Sequence, residues 1–529
     1  MTTKPVSPWA ALFVLCLGFF MVMLDTTIVP IAMPSMLREL STGLNAIVWV
    51  ISIYLLTYAV LMLLGSRLGD RFGPRRVCLA GLAVFTVASV WCGLSGTVET
   101  LIVARAVQGL GAALLAPQIL AFVGHLFPPA ERGPAMGMWA ATAGLGTVAG
   151  PLLGGVLSEH LGWGWIFLVN VPLGSVALVL TWLLVPDWRP RNVRAFDVVG
   201  ILLSGAGLLL IVFGVQNGHQ YDWGTVFGPV SVFEIIGLGV ALLVGFVFWQ
   251  RGDRREPLMP LDVFRIRNFS SGTLTWAIVG FAMTGMIVPL VLYLQAVLGL
   301  TATMAGLLTA PMSLMASVLG PVVGRASDKV NGKYLVMFGL AALTGGLGAV
   351  ALQAGPATDP WTLLPAFLVC GLGFGFILAP ITNLAMGAVE PRLLGTASGI
   401  FNTARQVGGV FGSAAVGVML QTKITTSITN MANGAAASLP AQYRAPFVAD
   451  IVKSAATAGR LVDGEGTTQG SGLPADIAAR VTELTTQIVH NGLADASRQA
   501  LLLPTGILLL GILATATMRP VEPLVTKPD

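Results

Sequence analysis

The stretch "GSRLGDRFGPRR", residues 65–76, lies between two long apolar runs. Gly65 and Gly69 are four apart, so on a helix they share one face and let a second helix approach closely. Asp70, Arg71, Arg75 and Arg76 then crowd a very short turn before the next apolar run begins. Basic residues collect in any loop on the cytoplasmic side of a membrane, and a packing glycine is common. The ordered pattern G-x-x-x-G-D-R-x-G-x-R-R is more specific than either, and it reads as a tight cytoplasmic hairpin joining two membrane helices.

The rest of the chain has the composition this reading requires. Of its 529 residues 55% are hydrophobic and only 10% charged, with a mean hydropathy of +0.83. A soluble domain carries about a quarter charged residues, so the sequence is that of an all-α polytopic membrane protein. A helix needs about 20 apolar residues to cross the hydrocarbon core. Fourteen such helices are expected, near residues 9–32, 47–66, 77–96, 100–123, 135–157, 164–185, 198–217, 229–249, 270–296, 304–324, 334–354, 361–386, 394–418 and 499–518. The first is expected to remain as an uncleaved helix, since no small-residue cleavage pattern follows it.

An even count puts both termini on one side. With a cytoplasmic N-terminus, the inside loops hold Arg67, Arg71, Arg75, Arg76, Arg132, Arg189, Arg191, Arg194, Arg251, Arg254, Arg255, Arg265, Arg267, Arg325, Lys329, Lys333 and Arg392. The short outside loops hold essentially only Arg38, a clean positive-inside alternation. The net charge of +5 therefore reflects cytoplasmic loops and not a nucleic-acid partner. One connection is long: residues 420–497 form a polar, Ala/Ser/Thr-rich segment placed outside, expected as a tethered surface appendage, with a lid or partner-docking element as the alternative. Ile477, Val481, Leu484 and Ile488 recur in its second half at helical spacing and predict an amphipathic helix there.

Chemistry motifs are sparse. There is no phosphate-binding loop, no H-E-x-x-H and no metal-ligand cluster, and Cys16, Cys78, Cys92 and Cys370 all lie in apolar segments without pairing or metal spacing. No catalytic or metal site and no cofactor is expected. Without a nucleotide-binding domain, pumping would have to draw on an ion gradient, which points to a secondary transporter. A membrane-embedded enzyme would want a nucleophile–base or metal constellation, and a sensor a soluble output domain.

The residue 65–76 pattern resembles the signature loop of the major facilitator superfamily, and further stretches resemble that family in register. "RAVQGLGAA", 105–113, places Arg105 within helix 4 like the family's embedded-arginine motif. "GLGTVAGPLLGG", 144–155, resembles its antiporter motif, with Gly146, Gly150 and Gly154 spaced by four and Pro151 bending the helix. "LDTTIVPIAMP", 24–34, resembles the helix 1 motif of the fourteen-helix drug:proton antiporter branch. Pro30 stands there where that branch usually has Asn, which predicts an extra kink. "GTASGIFNTARQVGGVFG", 395–412, is similar to the same branch's helix 13.

The resemblance implies a major facilitator fold in a 6+2+6 arrangement. Residues 1–186 and 269–529 would form two six-helix bundles around a central cavity, and residues 187–268 would add two helices between them. "GPVVGRASDK", 320–329, echoes the residue 65–71 loop in the second half, and such repeats put sites at the interface between halves. For Asp70 the resemblance implies pairing with neighbouring basic groups and with the N-terminal end of helix 13 near Gly395, a latch for one access state.

Asp25 is a lone carboxylate in an apolar run, where an unpaired charge costs several kcal/mol. At 1.5 Å per residue it lies about 10 Å below the outer end of helix 1, and Arg105 lies about 7 Å below that of helix 4. The depths agree, and the resemblance implies that both helices line the central cavity, so Arg105 is the expected partner of Asp25, either as a static ion pair or as part of a proton-coupling site. Arg405, near the middle of helix 13, is a candidate for the substrate cavity, which then offers one clear acid and two arginines. Tyr54, Tyr58, Met136, Trp139, Phe281 and Met286 are candidates for the cavity wall or for ordinary packing. Glu234 is expected to be interfacial, and Asp328 belongs to the echo loop. These features imply a monomeric, proton-driven exporter of small lipophilic molecules in a bacterial plasma membrane. A lipid or lipid-precursor exporter is the nearest alternative.

Overall fold

The computed structural model describes residues 7–128, 131–188, 197–252, 259–327, 330–387, 389–390, 393–456 and 475–520. Among them, 14 helices are long and apolar enough to cross a membrane. Spans 1 to 6 are Pro8–Glu39, Leu44–Phe72, Pro74–Gly93, Val98–Leu126, Pro134–His160 and Trp165–Leu184. Spans 7 and 8 are Val198–Asn217 and Val232–Gly252. Spans 9 to 14 are Arg267–Val297, Ala302–Ala326, Gly332–Gln353, Pro360–Met386, Thr396–Ala436 and Ile477–Ala516. Each coincides with an expected helix, so the chain is a polytopic membrane protein, helical in its spans, with one short antiparallel strand pair, Thr225–Phe227 and Val230–Ser231, between spans 7 and 8.

The hairpin between spans 2 and 3 forms where the sequence places it. Gly73 has φ of +95°, a backbone conformation that side chains disfavour, and Pro74 opens the next helix. A Cβ on Gly65 would fall 2.2 Å from the Ala113 carbonyl, and one on Gly69 would fall 2.0 Å from the Gln118 amide. Both glycines therefore serve the close approach of spans 2 and 4.

Packing within the first six spans repeats in the last six. Spans 2, 3 and 4 pack together as 10, 11 and 12 do, and span 1 lies on 5 and 6 as span 9 lies on 13 and 14. The two bundles meet along two seams, span 2 against 13 and span 5 against 10. An offset of eight exchanges one seam for the other, as a pseudo-twofold axis requires. Spans 7 and 8 pair with each other, and span 7 also lies on spans 2 and 13.

The pseudo-equivalent spans 1 and 9 are both broken. Span 1 runs as α-helix to Ile28, then as a 3-10 turn, Val29–Ala32, and resumes at Met33. Pro30 lies in that turn and has no N–H to donate, so the expected kink takes this form. Span 9 breaks after Gly285 and ends in a π-helical turn, Tyr293–Val297. The breaks touch, Gln295 donating to the Ile31 carbonyl at 2.9 Å. At the same end of the bundles Thr303 N–H donates to Glu159 at 3.1 Å, and farther along the seam Ser52 and Ser413 are 2.8 Å apart. This end lies opposite the basic Asp70 turn.

The 420–497 segment differs from the tethered appendage expected of it. The helix of span 13 continues to Ala436, and that of span 14 begins at Ala475. At 43 and 42 residues these helices are each about 60 Å long, roughly twice the hydrocarbon thickness. A further helix, Ala441–Ala456, lies on the first of them. Ile424, Ile428, Ala432, Phe447 and Ile451 are buried with Val481, Leu484 and Ile488 of the expected amphipathic helix. Ser427 donates to Asp495 at 2.6 Å and Gln499 to the same carboxylate oxygen at 2.8 Å. The segment's polar average conceals apolar residues at helical spacing, and these bury the projecting helices against one another.

Candidate functional site

The span 1 helix carries Asp25 into the centre of the first bundle, where the carboxylate is 0% exposed. Arg105, 2% exposed, reaches it from span 4, its Nη1 donating to Asp25 Oδ2 at 2.6 Å. The pair expected from depth and from the resemblance is formed by direct contact. Two amides complete the carboxylate's shell: Gln108 Nε2 and Asn170 Nδ2 donate to Oδ1 at 2.9 and 3.3 Å. Arg105 Nη1 also donates to Gln108 Oε1 at 2.7 Å, and its Nε donates to the Val50 carbonyl at 3.2 Å. Its guanidinium lies 4.0 Å from the Tyr54 ring centroid, within cation–π range. Gln108 extends the network by donating to Ser89 at 2.9 Å.

Gln108 and Asn170 were not singled out in the sequence. Gln108 had a signal, since it follows Arg105 by three residues and so shares its helix face. Asn170 had none beyond being a lone amide in an apolar run; span 6 brings it to Asp25 only through packing.

The antiporter-like glycines meet the same segment of span 1 from span 5. A Cβ on Gly146, Gly150 or Gly154 would fall 2.7 Å from Met23 Cβ, 1.9 Å from Thr27 Oγ1 and 2.9 Å from Ile28 Cγ1 respectively. These contacts flank Asp25. Thr27 also donates to the Gly146 carbonyl at 3.3 Å, tying span 1 to span 5. Pro151 lies within the span 5 helix, its carbonyl facing Gly306 of span 10.

Arg105 and Tyr54 border a cavity of about 30 Å³, room for about one water molecule. Thr26 and Pro30 line it from the first bundle, and Thr284 and Ile287 from the second. The acid–arginine cluster therefore abuts the junction of the two bundles.

The other candidates are placed as follows. Tyr58 is buried 6.1 Å from Tyr54, ring to ring. Trp139 stacks on Phe19 of span 1, and Met136 is 37% exposed, about 15 Å along span 5 from the Gly146 contact. Met286 is buried at the break in span 9, and Phe281 is half-buried with its carbonyl against Gly412 of span 13. Arg405 is half-buried, its guanidinium 5.8 Å from the Trp276 ring centroid. In the basic turn, Arg75 donates to the Trp182 carbonyl and Arg76 pairs with Asp187 at 3.5 Å, so both tie span 3 to the end of span 6. Asp70 and Arg71 are engaged as well. Glu234 caps its own helix: its carboxylate accepts from Ser231 N–H at 2.7 Å while Ser231 Oγ accepts from Glu234 N–H at 3.2 Å. Asp328 and Lys329 of the echo loop lie outside the described residues.

Two pseudo-equivalent six-helix bundles with a buried acid–arginine cluster beside their junction define a polytopic membrane transporter. The chain belongs to the Major Facilitator Superfamily, whose sequence profile matches residues 15–413. It is similar to an uncharacterized MFS-type transporter, Rv1250, of Mycobacterium tuberculosis, 42% identical over 85% of this chain and 78% of that one. It also resembles the tetracenomycin C resistance and export protein of Streptomyces glaucescens, 33% identical over 79% of this chain and 77% of the relative. The multidrug resistance protein Stp of Mycobacterium tuberculosis is 34% identical over 78% and 76%. Among solved structures, a bacterial homolog of the human lysosomal transporter Spinster shares the fold, with a TM-score of 0.65 at 16% identity over 98% of both chains. The chain is thus a multi-pass transporter of a bacterial plasma membrane.

Proposed function

We propose that this protein is a proton-driven exporter of hydrophobic and amphipathic small molecules, working as a monomer by alternating access, with both termini cytoplasmic. The observation that carries the reading is Asp25, a fully buried carboxylate paired with Arg105 beside the junction of the two bundles. The drug and antibiotic resistance proteins among its relatives support export as the direction.

Burial and a nearby guanidinium act in opposite senses on a carboxyl's affinity for a proton. A small displacement of Arg105 from Asp25 therefore changes whether the proton is held. The close-packed glycine face of span 5 gives span 1 a smooth surface to slide along, and the break at Pro30 gives it a place to bend. Asp25 takes a proton when the cavity faces outward and yields it when the cavity faces inward, so proton entry drives cargo exit. Opening the end away from the basic turn requires release of Gln295 from Ile31, Thr303 from Glu159 and Ser52 from Ser413. In this cycle the Asp70 turn is the latch at the other end, and residues 1–186 and 269–529 are the moving bodies.

Purified protein in liposomes enclosing a pH-sensitive dye tests the reading with lipophilic cations, neutral antibiotics and lipids as cargo. A cargo-dependent proton flux is expected, and Asp25→Asn is expected to abolish it while leaving inserted, folded protein. Cargo movement with no proton flux would make the pair structural and favour lipid export.

A further inference from the structure

Among the described residues, three charged side chains lie well inside the apolar stretches expected to cross the bilayer: Asp25, Arg105 and Arg405. Asp25 and Arg105 neutralise each other. Arg405 has no such partner, for among the described residues no carboxylate, carbonyl or hydroxyl accepts a hydrogen bond from it. It is only half-buried, 11 residues into its helix from Leu394, about 16 Å from that end. A guanidinium held at that depth without an acceptor is costly unless something else supplies one.

Its surroundings are aromatic and continuous with the acid–arginine cluster. Arg105 lies on the Tyr54 ring at 4.0 Å, and Tyr54 is 6.1 Å from Tyr58. Tyr58 of span 2 is within electrostatic reach of Arg405 across the seam. Arg405 in turn lies over Trp276, which stacks on Phe401 at 5.5 Å and 9°. Gly280 of span 9 makes room for the arginine, since a Cβ there would fall 3.1 Å from Arg405 Cγ. Tyr54 and Tyr58 in the first bundle and Trp276 and Phe401 in the second thus form a ladder of rings, with Arg105 at one end and Arg405 standing between the two ring pairs at the seam.

We propose that Arg405 is the anchor for an acidic group on the cargo, and that the preferred cargo is an aromatic or amphipathic monoanion whose ring system lies along this ladder. One acid against two arginines leaves an excess of positive charge at the centre, which favours an anion and disfavours a lipophilic cation. Planar, bidentate recognition of carboxylate or sulfonate is what a guanidinium does best. An anion leaving while a proton enters moves positive charge inward on both counts, so an inside-negative membrane potential assists export. The proposal rests on the export reading and adds the charge of the cargo to it.

Binding is measured in detergent micelles by fluorescence, with anilinonaphthalene sulfonate as the anionic probe, N-phenylnaphthylamine as its neutral counterpart and ethidium as a cation. The wild type is expected to bind the anionic probe most tightly. Arg405→Gln is expected to weaken that binding by about tenfold or more, the worth of a charge-assisted hydrogen bond, with the neutral probe unchanged as the control for folding. Arg405→Lys is expected to restore part of the loss. Equal affinity of wild type and Arg405→Gln for the anion, or a wild-type preference for ethidium, would overturn the proposal. Proton-driven movement of the anionic probe at the same rate by both proteins would keep the export reading and discard the anion site. Failure of the wild type to move any probe in liposomes under a proton gradient would discard export itself.

Discussion

Removing Arg105 tests how the buried cluster is held together. Arg105→Ala deletes the 2.6 Å contact with Asp25, the bond to Gln108 Oε1, the bond to the Val50 carbonyl and the cation–π contact with Tyr54. The carboxylate stays at 0% exposure with only the Gln108 and Asn170 amides as donors. Truncating one member of a buried pair costs about 3–5 kcal/mol, because it leaves an uncompensated charge behind. Adding Asp25→Asn removes that charge. The Asn carbonyl can still accept from Gln108 and Asn170, so the double variant is expected to be more stable than Arg105→Ala alone. Partners in direct contact couple by about 0.5–3 kcal/mol, and the complete burial of both groups places this pair at the upper end. Equilibrium unfolding of the wild type, both single variants and the double variant in mixed micelles, followed by tryptophan fluorescence, measures the coupling. Single-variant effects that simply add, within about 0.5 kcal/mol, would refute the view that the two side chains act as one buried ion pair.

Two further outcomes follow from the packing. Gly150→Ala forces a methyl toward Thr27, whose Oγ1 would lie 1.9 Å away and whose backbone carbon 3.0 Å away. Spans 1 and 5 must separate, and a destabilisation of about 1–3 kcal/mol is expected from overpacking, together with slowed transport; unaltered stability and rate would show that the glycine face is not needed for close approach. Glu234→Ala removes a helix cap exposed at a membrane surface and is expected to leave the proton flux unchanged, whereas a flux lost in that variant would give Glu234 a place in coupling.

Sequence alone determined the elements. Hydrocarbon thickness sets the length of an apolar helix, so the fourteen spans could be counted along the chain. The asymmetry of arginine between loops predicts an orientation, and ordered glycines and charges at 65–76, 105–113 and 144–155 carried the resemblance to the family. Depth arithmetic on two helices that the resemblance places at one cavity was enough to pair Asp25 with Arg105, because a charge in hydrocarbon needs a counterpart at its own level. Tertiary structure decided what depends on which faces meet. Asn170 joins Asp25 across 145 residues of chain, and no local pattern encodes that approach. The glycines of span 5 have the same spacing whether they face span 1 or lipid, and only packing shows that they flank the acid. The polar average of residues 420–497 suggested a surface appendage, whereas the alignment of Ile428, Ile488 and their neighbours along two projecting helices makes a core of it. Periodicity within one helix is written in its own residues, but the partner that a face selects is set by all the other helices competing for it.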